Sequence, residues 1–290
     1  MTAAPLPARE RRAPSKALRR FVANRLALAG LLMIVLFTLA AVLAPWIAPA
    51  DPAKQDFSAL LHAPGGGHLL GSDELGRDTF SRVLYGARIS LSAGLVSVSL
   101  ALVVGTLLGL VAGFVGGWLD ELIGRTVDAL LAFPFLILAI ALAAILGPSL
   151  QNTMLAIAIV TTPAFARVTR GQVLAQRELE YVQAAKALGA GQWRTLLRHV
   201  LPNIASPLIV QTTLAIAEAV LAESTLSFLG LGVQPPAPSW GSMLNTARGY
   251  LQTAPWLALA PGAAIFLTVL AFNLLGDGLR DALDPRGRTA

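Results

Sequence analysis

Residues 129–166 read ALLAFPFLILAIALAAILGPSLQNTMLAIAIVTTPAFA, a run of 38 between Asp128 and Arg167 without one charged side chain. As a single helix it would reach about 57 Å, whereas bilayer hydrocarbon is roughly 30 Å thick. Gly147-Pro148-Ser149-Leu150-Gln151-Asn152 interrupts the run midway with turn-forming residues. The stretch therefore reads as a hairpin of two membrane spans.

Other uncharged runs lie on either side: 25 residues between Arg25 and Asp51, 31 between Arg88 and Asp120, and 28 between Arg248 and Asp277. They predict spans near Leu26–Ala44, Leu91–Phe114 and Trp256–Leu275. A further span is expected from about Pro207, a proline tolerated in the first turn of a helix, to about Leu231. Charge tests the resulting count of six. With a cytoplasmic N-terminus, six spans place 17 Lys and Arg inside and 5 outside. Reading the 38-residue run as one span would place 9 inside and 13 outside, against the positive-inside bias of short loops. The expectation is an all-α membrane protein with six transmembrane helices and both termini cytoplasmic.

Composition agrees. Of 290 residues, 55% are hydrophobic and 13% charged, about half the charge of an ordinary soluble domain; mean hydropathy is +0.67. The net charge of +6 follows from the basic inside segments and implies no nucleic-acid partner. With no Cys, thiol catalysis and thiolate metal sites are absent. His62, His68 and His199 have no ligand spacing, and none of Lys16, Lys54 and Lys186 follows a glycine. A GxxxxGK[ST] phosphate loop is thereby excluded. No catalytic, cofactor-binding or metal-binding residue is assigned.

The chain divides into a cytoplasmic basic tail (1–20), a first span (21–48), an extracytoplasmic loop (49–87), a five-span core (88–277) with a cytoplasmic loop at 167–202, and a cytoplasmic tail (278–290). Residues 1–18 read as disordered. Ala48-Pro49-Ala50 faintly resembles a signal-peptide cleavage site, but the preceding apolar run exceeds an h-region, so the first span is expected to stay uncleaved.

The loop 167–202 is too charged to span yet strongly patterned. Tyr181, Ala184, Ala185 and Leu188 fall at i, i+3, i+4, i+7, one helical face. Gly189 and Gly191 supply a stop, and Trp193, Leu196, Leu197 and Val200 repeat the spacing. Leu201-Pro202 is expected to end the second helix, because the residue before proline is disfavoured in the helical region. Such a helix–Gly–helix unit fits two roles, an amphipathic hairpin on lipid or a small-residue ridge docked in a protein groove.

Gln183-Ala184-Ala185-x3-Gly189-x9-His199-x-Leu201-Pro202 resembles the EAA loop of bacterial ABC importer permeases, EAA-x3-G-x9-I-x-LP, with Gln183 for Glu and His199 for Ile. Leu70-Gly71-Ser72-Asp73-Glu74-Leu75-Gly76-Arg77-Asp78, Tyr85-Gly86-Ala87-Arg88, Ser227-Phe228-Leu229-Gly230-Leu231-Gly232, Gln234-Pro235-Pro236, Trp240-Gly241 and the run Leu275–Pro285 are similar to motifs of the dipeptide/oligopeptide/nickel permeases, second or C-type subunit. The resemblance covers about residues 18–287. It implies a type I ABC importer permease fold, pairing with a homologous permease subunit, and two cytoplasmic ATPase subunits that receive coupling helices within Tyr181–His199. It also implies an extracytoplasmic substrate-binding protein. This chain would then bind no cofactor, ATP being used by the ATPase subunits.

Other features carry two readings each. Ala101, Gly105, Gly109 and Gly113 form a small-residue stripe, suited to packing within the chain or against the partner permease, the former being favoured. Glu218 and Glu223 fall inside the fifth span, where carboxylates are costly; they border a translocation path for ammonium-bearing substrates or are hydrogen-bonded between helices. Asp73, Glu74 and Asp78 read as a solvated tight turn in preference to a metal site, and Asp120, Arg125 and Asp128 as local salt bridging at i, i+3. The rivals to peptide import are the same machine for nickel chelates, glutathione or another small solute, an ion-driven secondary transporter, and a structural or channel-forming protein.

Overall fold

The computed structural model describes residues 16–189 and 191–283 and is helical, with no strand among the described residues. A short helix α1 (Lys16–Ala23) precedes α2 (Arg25–Ile47), α3 (Thr79–Val115), α4 (Gly117–Leu131), α5 (Phe135–Leu146) and α6 (Leu150–Arg177). Then come α7 (Glu180–Ala187), α8 (Gln192–Thr195), a π turn (Leu196–Val200), α9 (Leu201–Phe228), α10 (Trp240–Ala247), a 3-10 turn (Arg248–Tyr250) and α11 (Trp256–Leu283).

Four helical stretches are each long and apolar enough to cross a membrane: α2, α3, α9 with its π turn, and α11. A fifth counts if α4 and α5, which meet at 94°, are one broken span. The 38-residue run thus divides differently from the expected symmetrical hairpin. Its first limb, α5, has 12 residues, about 18 Å, too short to cross alone. The turn lies where expected, since Ser149 accepts from the Asn152 N–H and caps α6. The second limb, α6, has 28 residues but carries Gln151, Asn152, Arg167 and Arg170, and is not apolar enough to count by itself. Helix α3 starts twelve residues before the expected span, capped by Asp78, which accepts from Ser81 N–H. Its 37 residues make about 55 Å, so its first turns stand in the outer loop.

Helices α3 and α9 form the centre, flanked by α2, α6 and α11. Close approach depends on missing side chains. A Cβ on Gly105 would lie 2.6 Å from Phe165 Cβ, one on Gly109 2.5 Å from the Ala166 carbonyl, and one on Gly113 2.9 Å from Val173 Cβ. The stripe on α3 therefore lies against α6 of the same chain. Replacing Gly109 by Ala forces overpacking worth about 1–3 kcal/mol, and we expect a clear drop in thermal stability in detergent. Gly124→Ala, with nothing within 4 Å, is the control and should leave the transition unchanged.

One end of the bundle is capped by the loop before α3 and by α10. Trp240 is fully buried, donates from Nε1 to the Val83 carbonyl at 3.0 Å, and meets Phe37 edge-on at 6.1 Å. It thereby ties α10 to α3 and α2. Gly241 permits this, because a Cβ there would lie 2.1 Å from the Ser224 carbonyl.

Candidate functional site

The segment between α6 and α9 forms a helical hairpin whose fold departs from expectation in one respect. Helix α7 ends as anticipated, with Gly189 at φ +83°, a value that favours glycine. The second arm does not stop at Leu201-Pro202. Leu201 is helical at φ −55°, ψ −44°, and the chain continues from α8 through the π turn into α9. A proline clashes with the carbonyl four residues back in a regular helix. Here Leu201 N–H bonds to the Leu196 carbonyl, the wider i→i+5 spacing that locally replaces the regular ladder. Pro207 likewise lies inside α9 rather than in its first turn. The hairpin is therefore continuous with the span that follows it.

Its surface divides cleanly. Val182, Thr195, Leu196 and Val200 are buried against the chain. Tyr181, Gln183, Ala184 and Leu188 are exposed, Leu188 at 88%. The side chains of Ala185 and Trp193 lie outside the described ones. The face at i, i+3, i+7 is thus turned away from the chain's own core, an apolar ledge with no cover from this subunit.

At the root of the hairpin a polar clasp joins three elements. Tyr181 donates its phenol hydroxyl to Gln176 Oε1 at 2.5 Å, and Asn203 Nδ2 donates to Tyr181 Oη at 3.1 Å and to the His199 carbonyl at 2.6 Å. The end of α6, the start of α7 and the first turn of α9 are pinned to one another. Gln176 and Asn203 could not be singled out in the sequence, where lone amides at loop edges have no period. The clue is only that Asn203 follows the Leu-Pro pair. Removal of this clasp by Asn203→Leu should loosen the hairpin, raising amide hydrogen exchange across α7 several-fold while the exchange of α3 stays unchanged.

A second feature corrects the local pairing expected around α4. Asp120 pairs with Arg170 through two bonds of 2.5 and 2.8 Å, and Asp128 with Arg167 at 2.6 Å, both on α6. Only Arg125 pairs within α4, with Glu121. The amphipathic α4 is thus clamped across the inner end of α6 instead of being braced along itself.

The two carboxylates of α9 part company. Glu223 is fully buried, accepts from Ser227 Oγ at 2.7 Å, and lies among the hydroxyls of Ser90, Ser224 and Ser239. It faces no open surface in this conformation. Glu218 is exposed and borders an open cleft of about 420 Å³ between α5, α6 and α9.

In the loop before α3, the turn around Asp73 is tight but not solvated, contrary to expectation. Asp73, Arg77, Asp78 and Arg82 are each at most 6% exposed. Asp73 Oδ1 accepts from the N–H groups of Leu75 and Arg77, while Oδ2 faces Arg77 Nε at 2.7 Å and Arg82 Nε at 3.4 Å. Asp78 caps α3 and meets His68 Nδ1 at 3.0 Å. Arg82 Nη1 reaches the Pro52 carbonyl at 2.8 Å, and Ser72 donates to the Ala59 carbonyl. Burial, then the adjacent Asp73 charge, pushes the Glu74 carboxyl above the usual range. The motif is a charge-paired knot that fastens the outer loop onto α3.

Comparison with known proteins places these features. Residues 105–289 match the family model described as binding-protein-dependent transport system inner membrane component, and residues 15–64 match the N-terminal TM domain of oligopeptide transport permease C. The dipeptide transport system permease protein DppC of Alkalihalophilus pseudofirmus is 49% identical over 93% of this chain and 89% of its own length. The di/tripeptide permease DppC of Pseudomonas aeruginosa is 51% identical over 93% and 91%. The glutathione permease GsiD of Pectobacterium atrosepticum is 48% identical over 92% and 89%. Among solved structures, a chain of the MetNI methionine ABC transporter in an inward-facing conformation superposes with TM-score 0.58 and 18% identity, covering 71% of this chain and 98% of that one. The fold is that of a type I ABC importer permease, and the chain belongs to the family of binding-protein-dependent transport system inner membrane components.

Proposed function

We propose that this chain is one of two homologous permease subunits of an ATP-driven importer for di- and oligopeptides in the bacterial inner membrane. Two cytoplasmic ATPase subunits and an extracytoplasmic binding protein complete the machine, with six spans and both termini cytoplasmic in this subunit. The observation that carries the reading is the hairpin: an uncovered ledge of Tyr181, Ala184 and Leu188 whose root is clasped to α6 and joined without a break to α9. A force applied to that ledge when the ATPases close would be delivered directly to two membrane helices. The chain itself makes no bond and binds no cofactor; ATP belongs to the partner subunits. Relatives named for dipeptides, di/tripeptides and glutathione support a peptide-like solute.

On the same reading Glu218 borders the translocation path, while Glu223, enclosed among serines, holds α9 to α3 and to the start of α10. Uptake by Glu218→Gln should fall for peptides with a free amino terminus; unchanged uptake at all pH values would remove Glu218 from the path.

The test of the whole assignment is recovery of the tagged chain from native membranes, with identification of what stays bound. A second permease and P-loop ATPases are expected. Recovery of this chain alone, with uptake abolished by a protonophore while ATP is maintained, would replace the reading by an ion-driven transporter.

A further inference from the structure

Three polar residues recur every seven positions on α9: Gln211, Glu218 and Thr225. Seven residues fall about 20° short of two full turns of an α-helix, so the three lie along one line about 21 Å long. All three border the same cleft, whose other walls include Leu131, Phe135 and Val160. Glu218 is the one titratable residue among the cleft's described lining. It lies ten residues before Phe228, about 15 Å from the outer end of α9 and near the middle of the hydrocarbon. No hydrogen bond or ion pair joins it to another described residue. A polar line with a single unpaired carboxylate at that depth does not suit lipid, and no bond joins Glu218 to Thr161, the hydroxyl that α6 contributes to the cleft wall.

We propose that this line is the wetted wall of the translocation path contributed by this subunit, and that Glu218 is its selecting element, favouring solutes that present an ammonium group over anions. The inference rests on the permease reading above and adds to it the residues of the path and the charge class they admit. Gln211 and Thr225 supply hydrogen bonds without charge on either side of the carboxylate. An ammonium group thus meets one attractive point in a path that otherwise does not hold it.

The absence of Cys from the chain makes the test direct. The assembled transporter in proteoliposomes is first shown to take up peptide on ATP addition, so that the permease reading stands or falls separately. Gln211→Cys and Thr225→Cys are then exposed to a cationic and an anionic thiosulfonate of similar size, with modification read by the mass of this subunit. Val103→Cys on α3, an apolar position 57% exposed and outside the cleft lining, is the control, and two positions guard against one variant failing to assemble.

Both stripe positions should be modified and the control spared. The cationic reagent should react at least about tenfold faster than the anionic one, relative to free thiol, a ratio that Glu218→Gln returns to near one. Absence of labelling at both positions in every nucleotide state would overturn the proposal in favour of a dry interface or lipid. Labelling with a ratio indifferent to Glu218→Gln, as when a basic residue of the partner permease neutralises it, would overturn the selecting role.

Discussion

Leu188→Asp is expected to abolish ATP-driven uptake while leaving the folded permease intact. Leu188 is 88% exposed at the end of α7 and contributes nothing to the core, so the substitution has little to destabilise. At a protein interface a hot-spot side chain is worth about 2–4 kcal/mol, and a buried carboxylate in its place adds a desolvation penalty. A loss of about 2–4 kcal/mol corresponds to roughly 30- to 1,000-fold in affinity. The ATPase subunits should therefore fail to co-purify with the variant, its melting temperature in detergent should match wild type, and uptake should fall at least about tenfold. Retained association and uptake would show that the ledge is not the docking face. Gln183→Glu, which restores the acidic residue of the family motif at an exposed position, should leave association within a few-fold.

The second large effect lies in the loop before α3. Asp73→Ala removes the acceptor of two backbone N–H groups and of Arg77, and leaves Arg82 with only the Pro52 carbonyl. Both guanidinium groups are at most 7% exposed in their side chains. Breaking one partner of a buried charge pair costs about 3–5 kcal/mol, because the remaining charge stays desolvated. The expected result is a loosened outer loop, read as rapid protease cleavage between residues 54 and 78 in right-side-out vesicles, with a lower melting temperature. Asp73→Asn keeps a carbonyl acceptor for the backbone N–H groups and should fall between the two. Glu74→Gln, which removes a weaker and partly exposed partner of Arg77, should have a much smaller effect.

These two sites were legible in the sequence to different degrees. The hairpin could be read because an amphipathic helix has a period and a glycine stop has a mechanism, and both are local. Its outcome at Leu201-Pro202 could not be, since the preference against helix before proline is a local rule. The π turn that evades it is held by packing of Leu196 and Val200 against the core. The charged residues of the turn at 73–78 were visible, but four charges within six positions look solvated until another helix buries them. Their partners, Arg82 on α3 and the Pro52 carbonyl, come from α3 and from the opposite end of the loop.

By itself the sequence determined the class of the molecule. Uncharged runs longer than a bilayer is thick read as membrane spans, because hydrocarbon penalises charge wherever it occurs; the distribution of Lys and Arg gives an expected orientation. Small residues at four-residue spacing marked a helix contact and favoured one within the chain, without naming the helix. Tertiary structure decided the rest, in each case because proximity between distant segments was needed. It set α6 against Gly105, Gly109 and Gly113, bent α4 from α5, and drew Asp120 and Asp128 to α6. It also enclosed Glu223 among serines from three elements while leaving Glu218, five residues earlier on the same helix, open to the cleft. Five residues turn an α-helix by about 500° and advance it by about 7.5 Å, so two carboxylates of the same helix face different environments, and only the neighbours of each face distinguish them.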